Sequence, residues 1–133
     1  MLLISPFSLI FFQDFQIVCI FDYTCIVLKM NIETIREYCI SKKGVTEGFP
    51  FGEDTLVFKK SGKIFALANL DGDLSLNLKC DPDYAIELRE KYPAVTPGYH
   101  MNKKHWNTVI IDGSVPDKEI LSWIDHSYNL IKG

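Results

Sequence analysis

From residue 30 onward, the spacing of apolar positions predicts three helices. The first begins after Asn31, a good N-cap, and places apolar residues of the 32–39 segment on one face. The second opens with Asp81-Pro82, an N-cap followed by a first-turn proline, and Pro93 ends it. The third is capped by Ser114 or the residue after it. Its buried stripe is predicted at Ile120, Leu121, Ile124, Tyr128 and Ile131.

The apolar runs between these helices predict strands. Residues 54–60, 63–70 and 73–79 form an antiparallel meander that turns at Ser61-Gly62 and Asp71-Gly72, because such dipeptides between apolar runs favour hairpins. The middle strand is apolar at nearly every position, so we expect it to lie centrally in the sheet. Two further strands are expected.

Of these two, one is a short strand within 45–52, which its Gly and Pro content restricts to an edge or a bulge. The other runs from Trp106 to Ile111. The predicted order is α-β-β-β-β-α-β-α. This is an α+β fold in which an antiparallel sheet meander carries its helices on one face.

Residues 1–29 differ from the rest of the chain. They are rich in Leu, Ile, Phe and Val, but Asp14 and Asp22 interrupt every window of the roughly 20 apolar residues that a bilayer span needs. No positive charge precedes the run and no small-residue cleavage site follows, as a secretory signal would require. We therefore expect 1–29 to be an upstream read-through or a disordered leader rather than a membrane anchor, and 30–133 to be the folded domain.

Composition and charge exclude some classes of function. A chain of 133 residues with 47% apolar residues suits one domain, and a net charge of -3 argues against indiscriminate coating of nucleic acid or membrane. The cysteines, at positions 19, 25, 39 and 80, contain no CxxC pair. We interpret them as reduced thiols of a cytoplasmic protein that does not associate with membranes.

The usual catalytic and cofactor motifs are absent from the sequence. It contains no GxxxxGK[ST], GxGxxG, HExxH or GxSxG pattern. His100 and His105 lie five residues apart with no suitably spaced acid or thiol, and Cys39 and Cys80 are most simply small apolar residues. We predict no catalysis, no cofactor and no metal ion.

Basic and aromatic residues concentrate in two predicted loops. The tip around Ser61-Gly62 brings Lys63 opposite Lys60 or Lys59, and an anionic partner would relieve the repulsion between like charges. Alternatively, these lysines merely solubilise the turn. The second concentration is Pro97-Gly98-Tyr99-His100-Met101-Asn102-Lys103-Lys104-His105-Trp106, where lysines could neutralise phosphates and rings could stack on bases. Alternatively, the apolar residues of this second loop anchor it to the sheet.

The same stretches resemble the MmcQ/YjbR family. Gly48-Phe49-Pro50-Phe51-Gly52-Glu53, followed by Leu56-Val57-Phe58-Lys59 and Gly62-Lys63-Ile64-Phe65-Ala66, is similar to the family's first motif, and 97–109 is similar to its second. The resemblance covers residues 30–133. It implies a CyaY-like α/β fold and a predicted DNA-binding role, in which β-hairpins approach DNA as a double wing. Transferred to this chain, the wings would be the Ser61-Gly62 and Asp71-Gly72 hairpins.

Together these observations predict a non-enzymatic, cytoplasmic DNA-binding protein. Two other classes stay open. An interaction or chaperone-like module would bind a protein segment through exposed Phe49, Phe51 and Trp106 or at a sheet edge, and an enzyme or metal binder would use His100 and His105. The predicted nucleic-acid-binding residues are Lys59, Lys60, Lys63, Tyr99, Lys103, Lys104, His105 and Trp106.

Overall fold

A computed structural model describes residues 30–98 and 101–132. The expectation for residues 1–29 lies outside this part of the chain, as do the proposed roles of Tyr99 and His100. The helices are α1 (Ile32–Ile40), α2 (Pro82–Lys91) and α3 (Asp117–Leu130). The strands are β1 (Val45–Gly48), β2 (Thr55–Lys60), β3 (Lys63–Asn69), β4 (Ser75–Lys79), β5 (Val95–Pro97) and β6 (Trp106–Ile110).

Side-chain caps fix where the first two helices begin. The Asn31 side chain accepts a hydrogen bond from the backbone N–H of Thr34 at 2.9 Å, and Asp81 accepts one from that of Tyr84 at 3.3 Å. Pro82 occupies the first turn of α2, where a missing N–H costs nothing. Both predicted starts are confirmed.

The predicted cap of α3 is wrong. Pro116 occupies the N-cap position and makes no side-chain hydrogen bond. Ser114 lies outside the helix, where its hydroxyl donates to Asp112 Oδ1 at 2.6 Å and its N–H donates to the same oxygen at 3.0 Å. Ser114 therefore stabilises the turn after β6 and does not cap α3. Local hydrogen bonds between side chains and the backbone compete with helix capping.

All six strands form one antiparallel sheet in the order β1-β2-β3-β4-β6-β5. β3 lies centrally and β1 lies at an edge, as the sequence predicts. The short strand β5, in contrast, is not among the predicted strands. It pairs with β6 from Val95 to Pro97, so the element order is α-β-β-β-β-α-β-β-α.

The two predicted hairpins differ in their turns. Lys60 pairs with Lys63, so Ser61-Gly62 is a two-residue turn, and both residues have positive φ (52° and 81°). Asn69 pairs with Ser75, which makes the connection through Asp71-Gly72 a longer loop than predicted. The predicted strand start at Asp73 is thus two residues early.

The two faces of the sheet have different environments. One face, with Phe58, Phe65 and Leu76 fully buried, packs against all three helices and forms the main core. On the opposite face, called here the open face, residues 30–98 and 101–132 place no helix. A small second cluster of Val57, Leu67 and Trp106 lies there, with Ile64 and Met101 packed around it. The α+β architecture with helices on one face is the predicted one.

Candidate functional site

Strand directions divide the charges between the two ends of the sheet. β2, β4 and β5 finish at one end, where β3 and β6 begin. Most lysines of the described residues lie at this end, called here the lysine end, and only Lys91 and Lys118 lie near the other. The lysine end comprises Lys42, Lys43, Lys59, Lys60, Lys63, Lys79, Lys103, Lys104 and Lys132.

The opposite end of the sheet, called here the acidic end, is dominated by carboxylates. They come from the segments before β2, between β3 and β4, and after β6. The residues are Glu53, Asp54, Asp71, Asp73, Asp112 and Asp117. The domain therefore has a marked charge polarity despite its small net charge, which favours anionic partners at one end only.

Two of the carboxylates close to the lysine end, Asp125 and Asp81, are engaged within the protein. Asp125 pairs with Lys42 and accepts hydrogen bonds from the Tyr38 hydroxyl at 2.8 and 2.9 Å. Burial and the bond to Asp125 raise the pKa of Tyr38 to about 12. Asp81 caps α2, so these acids are engaged within the protein itself.

Lys60 is committed to the fold. Its Nζ donates to the carbonyl oxygens of Tyr128 at 3.2 Å and Ile131 at 2.8 Å, and lies 4.0 Å from the centroid of the Tyr128 ring. These carbonyls lie at the C-terminal end of α3, where a cation is favoured by the helix dipole. The repulsion predicted between Lys60 and Lys63 is therefore relieved from within the protein.

Four of the predicted lysines lie at or near the surface. Lys63, Lys103 and Lys104 are exposed, and Lys59 is half-buried on the open face, opposite Ile64 in the register. Lys43 is also exposed, in the loop before β1, and Ser61 N donates to Gly44 O at 3.3 Å, which holds that loop beside the β2–β3 turn. The two lysine concentrations of the sequence thus lie at one end of the sheet.

An arginine that the sequence analysis did not single out holds the second concentration in place. Arg89 of α2 donates from Nε to Asn107 Oδ1 at 2.7 Å, and from Nη2 to Trp106 O at 3.3 Å and to Lys103 O. Asn107 is itself buried and donates to Ala85 O at 3.4 Å. Helical periodicity alone gave no sign of this role, since the partners are 14 to 18 residues away along the chain.

The loop is further tied by its own residues. Lys103 Nζ donates to Gly98 O at 3.1 Å, and Asn102 Oδ1 accepts from the N–H of Lys104 at 2.9 Å and of His105 at 3.3 Å. His105 O in turn accepts from Cys80 N at 2.7 Å. Lys103 and Asn102 therefore shape the loop, and among its described residues the exposed Lys104 is best placed to contact a ligand.

Trp106 packs against the sheet rather than at the surface. Only 9% of it is exposed, and it contacts Val57 and Leu67 in the second cluster. Gly98 allows this packing, because a Cβ at that position would lie 2.7 Å from Trp106 Cβ. The sequence allows two interpretations of Trp106, stacking on a base and anchoring of the loop to the sheet. The structure favours anchoring, because the buried ring is not available for stacking on a base.

The two proposed wings are not neighbours. The Ser61-Gly62 turn precedes β3 at the lysine end, and the Asp71-Gly72 loop follows it at the acidic end. With seven residues in β3, the tips are separated by roughly 20 Å. The hairpins therefore cannot approach one stretch of DNA side by side from the same end of the sheet.

Neither described cysteine has the properties of a nucleophile. Burial raises the pKa of Cys39 to about 12, with Lys42 opposing the shift, and burial followed by the charge of Asp81 raises that of Cys80 to about 11. Both thiols are free and protonated at neutral pH, as expected of small apolar residues.

No metal cluster and no membrane helix is found in residues 30–98 and 101–132. Within these ranges no three His, Cys, Asp or Glu side chains converge as metal ligands would. Their helices are also too short or too polar to cross a bilayer.

A groove of about 760 Å³ lies on the open face, and the sequence analysis did not anticipate it. Leu67, Met101 and Ile110 provide apolar surface, and Phe51 stands at its rim. The polar lining comes from Thr55, Asn69, Asp73, Ser75, Asn77, Thr96 and Thr108. The alternation of apolar and polar residues along β4 predicts a solvent-facing side of this strand, but it does not predict a groove there.

Comparison with known proteins places the chain in a family. Its sequence is 38% identical to the protein YbdF of Escherichia coli O157:H7 and 33% identical to YjbR of Escherichia coli K12, in each case over 100 residues. These matches span 74% of this chain and 82% and 85% of the respective relatives.

Solved structures agree with the fold. The crystal structure of the DUF419-domain protein DR2400 of Deinococcus radiodurans is similar with a TM-score of 0.71 and 41% identity, over 74% of this chain and 76% of that one. A Pseudomonas syringae protein is similar with a TM-score of 0.69 and 32% identity, over 77% and 100% of the two chains. Since the YjbR family model matches residues 40–130, the chain belongs to the YjbR family.

Proposed function

We propose that this protein binds DNA through phosphate contacts at the lysine end of its sheet. The observation that supports the proposal is the gathering of the two lysine concentrations, 40 residues apart in sequence, at one end of a domain whose other end is acidic. Lysine side chains neutralise phosphates and release counterions, which drives the sequence-independent part of binding. The acidic end would be repelled, so the polarity also orients the protein on DNA.

The lysines differ in the roles that we assign to them. Lys63, Lys104 and Lys43 are exposed and would contact phosphates, and Lys59 would approach from the open face. Lys60 and Lys103 already bind backbone carbonyls, so they would contribute charge rather than direct contacts. No catalytic step is part of this proposal.

The proposal is tested by fluorescence anisotropy of the full-length protein with a labelled DNA oligonucleotide, in duplex and single-stranded form, between about 50 and 200 mM salt. The logarithm of the association constant should fall linearly with the logarithm of salt concentration. The double variant Lys63→Gln/Lys104→Gln should reduce the slope by roughly 1.4 to 1.8, because each phosphate contact contributes about 0.7 for single strands and 0.9 for duplex.

A matched control removes the same charge from the other end of the molecule. Lys91→Gln/Lys118→Gln replaces two lysines near the acidic end and should leave the slope unchanged. Equal slopes for the two double variants would mean that binding follows net charge rather than the lysine end. Failure of either DNA form to bind at about 50 mM salt, where phosphate contacts are strongest, would refute the proposal.

A protein-interaction module is the second candidate, and exposed aromatic residues favour it. Phe49 and Phe51 are 52% and 65% exposed beside the edge strand β1, whose outer side pairs with no other strand of the described residues. Exposed apolar groups next to a free strand edge suit the addition of an extended peptide strand. Protection of the β1 backbone amides from hydrogen exchange in the presence of a binding protein, with no DNA binding, would favour this candidate.

A further inference from the structure

The open face of the sheet is a second candidate binding surface, separate from the lysine end. The three described helices pack on the opposite face, so within the part of the chain that the structure describes no element covers the groove beside β3, β4 and β6. Its volume of about 760 Å³ lies within the range of about 300 to 1,000 Å³ that is usual for small-molecule sites. A space of this size suits a small planar ligand such as an unpaired base and is too small to receive a double helix.

The chemistry of the lining suits a flat polar ring. Asn69 offers an amide group, which can both donate and accept hydrogen bonds, and Ser75 and Thr96 offer hydroxyl groups. Asn77 contributes the N–H donors of its amide, because its Oδ1 accepts a hydrogen bond from the Thr108 hydroxyl. Leu67 and its apolar neighbours form a surface against which a ring can pack. Uncharged amides and hydroxyls beside apolar surface are the groups with which proteins read the edges of unpaired bases.

Phe51 completes this arrangement from the rim. It is 65% exposed and belongs to the loop between β1 and β2, so its ring is free to lie on a planar ligand. Stacking on an exposed aromatic ring is the main sequence-tolerant contact between proteins and single-stranded nucleic acid.

Along the strand direction, the charge on the open face changes from acidic at one end to basic at the other. Along β4, Ser75 and Asn77 face the groove, and Lys79 follows two residues later on the same side, about 7 Å further toward the lysine end. Lys59 of β2 lies at that end too, whereas Asp73 lines the groove at the acidic end. A ligand with phosphate at one end and a neutral, hydrogen-bonding base at the other matches this gradient.

We propose that the groove binds unpaired bases of a single-stranded nucleic acid whose phosphates lie along the lysine end. The inference rests on the proposed function and makes it more specific, because it assigns the single-stranded form as the preferred ligand. Duplex DNA would contact the lysine end only, since its bases are stacked and paired inside the helix.

The test compares Phe51→Ala with Phe49→Ala in the full-length protein by anisotropy, with the same labelled oligonucleotide in both forms. Phe49 is also exposed but lines a different cleft, beside β1 and Lys59, so it serves as a matched control. The wild-type protein should bind the single strand more tightly than the duplex. Phe51→Ala should weaken single-strand binding by roughly 5- to 150-fold, the loss of one stacked base, and leave duplex binding unchanged.

The possible results separate the two proposals. Duplex binding as tight as single-strand binding, or equal effects of the two phenylalanine variants, would overturn the groove assignment while leaving DNA binding at the lysine end intact. Saturation by adenosine 5′-monophosphate with the affinity of the oligonucleotide would also overturn it, because the groove would then be a site for free nucleotides. Concentration-dependent NMR shifts of groove residues in the free protein would show that a second copy occupies the groove, with the same consequence.

Discussion

Lys60 and Lys63 face each other across the β2–β3 turn, yet the structure gives them opposite roles. Lys60 binds two carbonyl oxygens at the end of α3, whereas Lys63 is exposed. Replacing each by Met keeps most of the aliphatic chain and removes the same charge. We therefore expect Lys60→Met to change the stability of the protein, and Lys63→Met to change its affinity for DNA.

The size of the stability change follows from the contacts of Lys60. Hydrogen bonds from a charged donor contribute about 1.5 to 3 kcal/mol in favourable cases, and a cation over an aromatic ring adds about 0.5 to 1 kcal/mol. Both carbonyls share one ammonium group, which is half-buried, so the two hydrogen bonds do not contribute their full separate energies. These considerations give a net loss of about 2 to 3 kcal/mol for Lys60→Met, and less than about 0.5 kcal/mol for Lys63→Met.

Urea denaturation followed by tryptophan fluorescence measures both variants. With an m-value of about 1 to 3 kcal/mol/M, Lys60→Met should lower the unfolding midpoint by roughly 0.7 to 3 M. Lys63→Met should leave the midpoint in place but reduce the salt slope of DNA binding by about one. Equal midpoints for the two variants would refute the role of Lys60 in holding α3 to the sheet.

Two further results are expected. Arg89→Met should destabilise the protein by about 1 to 3 kcal/mol, because Asn107 Oδ1 is then buried without its donor; a thermal unfolding midpoint equal to that of the wild type would contradict this. Cys39 and Cys80 should react with iodoacetamide far more slowly in the native protein than in urea, as measured by peptide mapping. Since folding raises the pKa of both thiols, their contribution to stability is fully present below about pH 8.5 and is lost as the pH rises toward 11 to 12.

Local sequence signals were sufficient for much of the fold. Asn31 and Asp81 cap their helices, and Ser61-Gly62 closes a two-residue hairpin, because each of these interactions joins residues within three or four positions of one another. The apolar character of 63–69 likewise placed β3 at the centre of the sheet. The α+β class follows from these elements and from the helical and strand periodicities.

Elements with weak local signals were missed. β5 has only three residues and ends in a proline, so its pairing with β6 depends on the tertiary structure rather than on strand propensity. The stripe predicted for α3 also omitted Ser127, which is fully buried. Its hydroxyl accepts a hydrogen bond from Lys79 N at 2.9 Å and donates one to Phe65 O. This side chain of α3 therefore links β4 to β3.

The sequence alone determined where the lysines and aromatic residues concentrate, since loop and turn positions can be read from Gly, Pro and the apolar pattern. Only the tertiary structure decided what each residue does. Lys60 is bound to carbonyls 68 and 71 residues away, and Trp106 is buried against β2 and β3. The lysine end and the groove likewise arise from the directions in which six strands cross one sheet, because charges distant in sequence become neighbours only through strand pairing.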